Sequence, residues 1–216
     1  MGYDPDQQLA YDVAVHSAES KGNVEVKPLD LEDLRMAHLY TRPVDPLAST
    51  PFTFSRYLVP YLQGYKGWAM FTDCDVLFMD DPTEIMQHAD ESKAVCVVKH
   101  DYTSAVRKKM NDKTQHTYER KNWTSVMLIN CAHPSNAVLT PDLVNDKSKS
   151  GVWFHKLSWL KDEEIGELPH TWNYLTDHYK GGSPHILHYT LGGPWQEGFE
   201  DCAFASEWNK ELKAYK

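Results

Sequence analysis

Residues 68–78 read Trp-Ala-Met-Phe-Thr-Asp-Cys-Asp-Val-Leu-Phe, an apolar run broken by two carboxylates and closed by Asp80-Asp81-Pro82. A run this apolar predicts one strand across 68–78, buried inside a sheet. Side chains alternate along an extended segment, so Asp73 and Asp75 are expected to share a face. Two carboxylates near the end of a buried strand repel each other and lose hydration unless a cation lies between them. Mg²⁺ and Mn²⁺ take oxygen ligands and commonly bridge carboxylates to phosphates. Asp73 and Asp75 are therefore candidate metal ligands for a phosphorylated substrate. Asp-x-Asp is a common pattern, and a solvated strand end is its plain alternative.

Further apolar runs at Ala94–Lys99, Ser125–Asn130 and Pro184–Tyr189 predict more strands. Val24-Glu25-Val26 predicts a short one before them. Between them lie segments with helical spacing or capping signals: 4–20 behind Asp4-Pro5-Asp6, 30–39, 54–62 ended near Gly64, 82–88, 141–145, 151–160 and 200–216. The three prolines of 41–51 predict a loop, and 101–122 reads as polar and irregular. Strands alternating with helices predict an α/β fold with a largely parallel sheet covered on both faces. Ligands in such folds gather at the carboxyl ends of strands, where Asp73 and Asp75 are expected. No repeat or linker interrupts the chain, so a single domain over 1–216 is expected.

The 216 residues suffice for one sizeable core. Acidic residues outnumber basic ones, 31 to 22, for a net charge of −9, which gives no support to nucleic-acid binding. The basic stretch Arg107-Lys108-Lys109 with Arg120-Lys121 reads as a solvated face. Cysteines 74, 96, 131 and 202 lack C-x-x-C spacing, and the first three lie in apolar runs. Buried free thiols are expected, which fits a reducing cytosol. No apolar run reaches membrane-spanning length and no signal-peptide pattern opens the chain, so a soluble, cytoplasmic protein without a transmembrane segment is expected. Asn122-Trp123-Thr124 fits the N-glycosylation acceptor pattern and reads as accidental in that setting.

A second constellation lies late in the chain: His185-Ile186-Leu187-His188-Tyr189-Thr190-Leu191-Gly192-Gly193-Pro194-Trp195. His188 closes a predicted strand just before two glycines, which let backbone approach a ligand and present N–H groups to phosphate oxygens. An imidazole joined to two carboxylates suits Mn²⁺. A lone histidine is otherwise a hydrogen-bonded structural residue, and that reading is kept for His185.

These segments resemble GT-A glycosyltransferases, in particular the retaining family-8 type and its bacterial lipopolysaccharide relatives. Asp73-Cys74-Asp75 resembles the family's metal motif. Gly2-Tyr3-Asp4-Pro5 resembles the first strand-to-helix turn, which holds the nucleotide base, and Phe52–Pro60 the helix whose Arg reaches the donor. Asn122–Asn130 resembles the strand lining the donor sugar. Asp162-Glu163-Glu164-Ile165-Gly166 with Leu168–Asn173 resembles the acidic motif beside the anomeric carbon, and His188 to Trp195 the terminal metal and diphosphate motif. The matches follow the family order over nearly the whole chain. Two departures stand out. The family's terminal motif carries a Lys on the diphosphate before Pro-Trp, whereas here Gly193 precedes Pro194 and the motif is one residue shorter. The chain also begins at the first turn, so the first strand is expected to be clipped or to begin upstream.

The resemblance implies a Rossmann-like GT-A domain that transfers a sugar from a nucleoside-diphosphate sugar, expected to be a UDP-sugar, with retention. Asp73, Asp75 and His188 would hold Mn²⁺ or Mg²⁺. Tyr3 and Asp4 would meet the base, and Arg56 a sugar hydroxyl or diphosphate oxygen, its alternative being a helix-surface ion pair. Asn122, Ser125 and Gly192 are further donor-site candidates. Asp162 and Glu163 would face the sugar as acids, although such acidic runs are usually solvated helix ends. Trp172 and Trp195 would wall an acceptor site or pack in the core. Glycan, lipid-linked and protein acceptors all fit, surface-polysaccharide assembly being the favoured setting, and a homo-oligomer is compatible. The rival readings are a nucleotidyltransferase or other phosphoryl-transfer enzyme, and a degenerate module that binds nucleotide sugars without turnover.

Overall fold

A computed structural model describes residues 1–43, 45, 48–101 and 119–216. The Arg107-Lys108-Lys109 stretch lies outside them. The apolar run that opens the metal motif forms two strands, β1 (Trp68–Thr72) and β2 (Val76–Phe78), in place of the single one expected. β3 (Val95–Val97), β4 (Val126–Asn130), β5 (Ile165–Glu167), β6 (Tyr174–Leu175) and β7 (Ile186–His188) follow. β1 belongs to a sheet of order β1-β4-β3-β5, and β2 to a second of order β2-β7-β6. The break has a physical cause. Ionised side chains at 73 and 75 do not suit a dry ladder, so the chain leaves one sheet and enters the other between them.

Both ladders continue to the edge of this break. The Asp73 N–H donates to Ser125 O at 2.8 Å, and the Tyr189 N–H donates to Asp75 O at 2.9 Å. Each aspartate thus stands at the last rung of a different sheet.

Pairing is mixed where a largely parallel sheet was expected. Among the described residues β1–β4, β3–β4 and β2–β7 are antiparallel, while β3–β5 and β6–β7 are parallel. A strand buried along its whole length, as β4 is, has no polar face to betray its direction. The α/β class stands. The expected strand at Val24–Val26 is absent; the one bridge nearby pairs Gly2 with Leu29 in parallel. Gly2 also donates to Thr72 O at 2.8 Å, which lays the chain start beside the end of β1.

Helices pack around the sheets. Asp4 caps a 3-10 turn by accepting from the Asp6 N–H at 3.1 Å, and α1 (Gln8–Lys21) follows. α1 buries Ala10, Val13, Ala14, Ser17 and Ala18, a helical stripe. Ser17 Oγ accepts from the Phe78 N–H at 3.1 Å, which fixes α1 against β2. α2 (Leu31–Met36), α3 (Val59–Leu62), α4 (Pro141–Asn145) and α5 (Gly151–His155) are short. α5 stops five residues before the expected 160, and Leu157 beyond it takes a positive φ of 56°. α6 (Ala205–Tyr215) returns onto α1, where Glu211 accepts from His16 and Lys21 at 2.8 Å each. An aromatic core, with Tyr57 stacked on Phe154 at 4.9 Å, fills the space behind β1 and β4. Cys74, Cys96 and Cys131 are buried free thiols, as expected. No helix among the described residues is long and apolar enough to cross a membrane.

Candidate metal centre

Asp73, Asp75 and His188 converge at the junction of the two sheets. One ligand atom from each lies within 4.8 Å of the others, and among the described residues they form the one such cluster of three donors. Asp73 arrives from the end of β1 and Asp75 from the start of β2. His188 comes from the end of β7, whose register sets it opposite Val76. Asp75 and His188 are only 7 % and 2 % exposed. His188 Nε2 lies 3.3 Å from Asp75 Oδ1.

Arg56 is part of this group, not a surface ion pair. Its side chain is 4 % exposed, and Nη1 lies 2.8 Å from Asp73 Oδ1. Nη1 also donates to Thr124 O at 2.8 Å, and Nε to Phe52 O at 3.3 Å. The guanidinium carbon lies 5.0 Å from the Phe71 ring centre and 5.2 Å from that of Phe52. Arg56 offsets part of the charge of the two carboxylates in this mostly buried place. Two carboxylates with an imidazole are a donor set that suits Mn²⁺ or Mg²⁺. The field of the pair reaches its neighbour: burial pushes the Cys74 thiol well above its ordinary pKa, and Asp75, Asp73 and Asp4 add to the shift. Cys74 is a neutral spacer, not a nucleophile.

Behind the three donors lies an amide network in which Asn122 and Ser125, donor-site candidates from the sequence, meet Asn173, which was not singled out. Asn173 is fully buried, and its Oδ1 is 2.8 Å from His188 Nδ1. Its Nδ2 donates to Asn122 O at 3.0 Å and to Ser125 Oγ at 3.2 Å. Ser125 Oγ in turn donates to Asn122 O at 2.6 Å. Asn122 takes a left-handed conformation, φ 62°, which ends the preceding turn and starts the one leading into β4. Its Nδ2 is buried and, among the described residues, has no hydrogen-bond partner. The available signal was an amide set between Trp172 and Tyr174, a polar group in an apolar aromatic stretch.

The remaining candidates divide. Tyr3 and Asp4 sit in the turn after Gly2, next to the end of β1. Asp4 is 7 % exposed and also accepts from Gln7 Nε2 at 3.2 Å, so it serves as a cap. Tyr3 donates to Gln8 Oε1 and lies edge-on to Tyr11. Gly192 has φ 149°, and its N–H is committed to Tyr189 O at 3.1 Å. At Gly193 an added Cβ would lie 1.9 Å from the Trp195 ring, so any side chain there requires that ring to move.

Asp162 and Glu163 are not brought to the cluster. They sit on an exposed 3-10 turn beside β5, where Arg120 holds Asp162 and Lys93 donates to Glu163 O at 2.7 Å. Trp172 is buried and stacks on His185 at 4.4 Å; Trp195 packs between Tyr189 and Trp208. Both are packing residues.

His100, three residues beyond β3, is 6 % exposed, and its Nδ1 lies 2.8 Å from Tyr179 Oη. Burial pushes its pKa down to about 3, with His188, His178 and His170 adding to the shift.

Among known proteins, the chain is 43 % identical over 223 residues to Protein CDI of Arabidopsis thaliana, covering 100 % of this chain and 85 % of that one. No family profile matches the chain. In structure it is similar to the glycosyltransferase GlyE of Streptococcus pneumoniae TIGR4, with TM-score 0.63 and 16 % identity over 98 % of this chain and 58 % of that one. The bifunctional glycosyltransferase WbbM gives TM-score 0.63 at 14 % identity, over 98 % of this chain and 48 % of its own. The galactosyltransferase LgtC, solved with donor and acceptor sugar analogs, gives 0.59 at 14 % identity, over 99 % of this chain and 94 % of its own. The chain therefore spans little more than half the length of GlyE and under half of WbbM. Identities this low establish the fold, which is that of GT-A glycosyltransferases.

Proposed function

The chain belongs to the family of Protein CDI, and from that premise we propose that it is a metal-dependent glycosyltransferase using a nucleoside-diphosphate sugar. The proposed donor is a UDP-sugar, the acceptor a hydroxyl of a glycan, lipid-linked or protein substrate, and the outcome retention of configuration. One observation carries the reading: Asp73, Asp75 and His188 converge in a mostly buried site on a GT-A fold.

In this reading Asp73, Asp75 and His188 hold Mn²⁺ or Mg²⁺. Such an ion, when bound, supplies Lewis-acid stabilisation of a departing diphosphate. Arg56 fixes Asp73 and offsets part of the site's negative charge, which lowers repulsion toward an anionic donor. The orphan Nδ2 of Asn122 is a donor suited to a sugar hydroxyl. Tyr3 and Asp4 stand on the base side, and Gly192 lets backbone come close to the diphosphate. Asp162 and Glu163 are the proposed sugar-facing acids; Arg120, two residues before Asn122, ties Asp162 to that same turn.

One feature favours a second reading, a module that binds nucleotide sugars without turnover. Trp195 fills the space a diphosphate-binding lysine at 193 would need. Thermal unfolding with UDP, with Mn²⁺ and with both tests the first step. A ligand at 100 times its Kd stabilises the native state by about 2.7 kcal/mol. The expected result is a rise in Tm that needs both together and is lost in Asp75→Asn. No shift in a folded wild-type protein would sink the proposal. Binding without consumption of any UDP-sugar across an acceptor panel would establish the module instead.

A further inference from the structure

We infer that Asn173 is a positioning residue that sets the tautomer of His188 and couples the metal ligand to the turn at Asn122. The inference rests on the metal-site reading above and adds the group that makes His188 a ligand.

The orientation of the Asn173 amide follows from its neighbours. Asn122 O and Ser125 Oγ lie 3.0 and 3.2 Å from Nδ2. A carbonyl oxygen can only accept, and the Ser125 hydroxyl hydrogen already goes to Asn122 O. With the amide reversed, its oxygen would face the Asn122 carbonyl, lone pair against lone pair. The Nδ2 end is thus fixed, and Oδ1 must be the atom facing His188 Nδ1 at 2.8 Å.

The consequence passes to the ring. Oδ1 can only accept, so Nδ1 of His188 donates. Nε2 is left as the free end, and it is the end that faces Asp75 Oδ1 at 3.3 Å. Metal-binding histidines typically have their second nitrogen held by such an acceptor, and losing it commonly weakens metal affinity 10- to 100-fold.

Asn173 is fully buried, so it acts through His188 without touching substrate. Its other end reaches Asn122, whose turn leads into β4 and offers the orphan donor. A ligand that moves the Asn122 carbonyl therefore moves the group that holds the metal ligand.

The test uses the whole chain, purified metal-free. Mn²⁺ binding is measured by calorimetry with UDP present in wild type, Asn173→Leu and Asn173→Asp. Long-range ¹H–¹⁵N spectra report which His188 nitrogen carries hydrogen, and thermal unfolding without metal reports folding. Leu matches the volume but cannot accept: a 10- to 100-fold weaker Kd for Mn²⁺ and loss of the Nδ1–H signature are expected. Asp keeps an acceptor toward Nδ1 while losing the donor to Asn122 O, so it should keep the Nδ1–H signature. Wild-type affinity in a folded Asn173→Leu, or an Nε2–H tautomer in metal-free wild type or Asn173→Asp, overturns the inference. The spectra of wild type and Asn173→Asp decide it if the Leu variant does not fold. Wild type that keeps the Nδ1–H tautomer yet binds no Mn²⁺ overturns the metal-site reading, and this inference with it.

Discussion

Gly193 shows how closely single residues are specified here. Its missing side chain is the space that the Trp195 ring occupies, and Trp195 in turn packs on Tyr189 and Trp208. Gly193→Ala should therefore destabilise the protein by about 1–3 kcal/mol, the usual range for overpacking, read as a lower urea midpoint at unchanged slope. A midpoint equal to wild type would mean that the ring moves freely. Asp73 and Asp75 look equivalent in sequence but differ in place, since one is shared with Arg56 and the other faces His188. The residues that were legible are those whose chemistry narrows their use. Paired aspartates with a late histidine have few low-energy arrangements, and a buried Arg needs a carboxylate or carbonyls. Asn173 was not legible, because an amide's role is set by whatever faces it and by nothing in its own type.

Element positions were readable from periodicity, but element connections were not. The segment 68–78 reads as one strand because nothing in an apolar run marks a change of sheet, and the carboxylates that cause the change also look like a strand end. Strand direction was hidden for the same reason: β4 is buried at every position. Helix α6 was expected, and it meets α1 through an apolar cluster that includes Val13 and Trp208, through Tyr215 edge-on to His16, and through Glu211. Glu211 lies between His16 and Lys21. Burial works to raise its pKa, yet the Lys21 and His16 interactions outweigh that and hold it below the ordinary 4.5. A carboxylate held low stabilises the fold above its unfolded pKa, and that stabilisation disappears as pH falls through the folded value. Glu211→Gln should cost about 1 kcal/mol at pH 7, with the deficit closing below about pH 4.5. Denaturant midpoints at pH 7 and pH 4 check this, and a deficit independent of pH would rule it out.

At the scale of the whole molecule, one buried ring links stability to pH. His100 is neutral in the fold, its pKa pushed from 6.5 to about 3, chiefly by burial. The unfolded chain takes up the proton first as pH drops, so this contribution is complete above 6.5 and is lost progressively toward 3. In that window the slope from one proton is about 1.4 kcal/mol per pH unit. His100→Gln should show a shallower fall of unfolding free energy between pH 6.5 and 4 than wild type, by urea titration. Parallel curves would show that His100 is not the group responsible. The break between the sheets carries the last consequence. Asp73 closes the final rung with Ser125, and Asp75 the final rung with Tyr189. Whatever both carboxylates grip is therefore a rivet through a seam. Filling it would fasten two otherwise separate hydrogen-bonded ladders, and emptying it would leave the protein free to flex along that line.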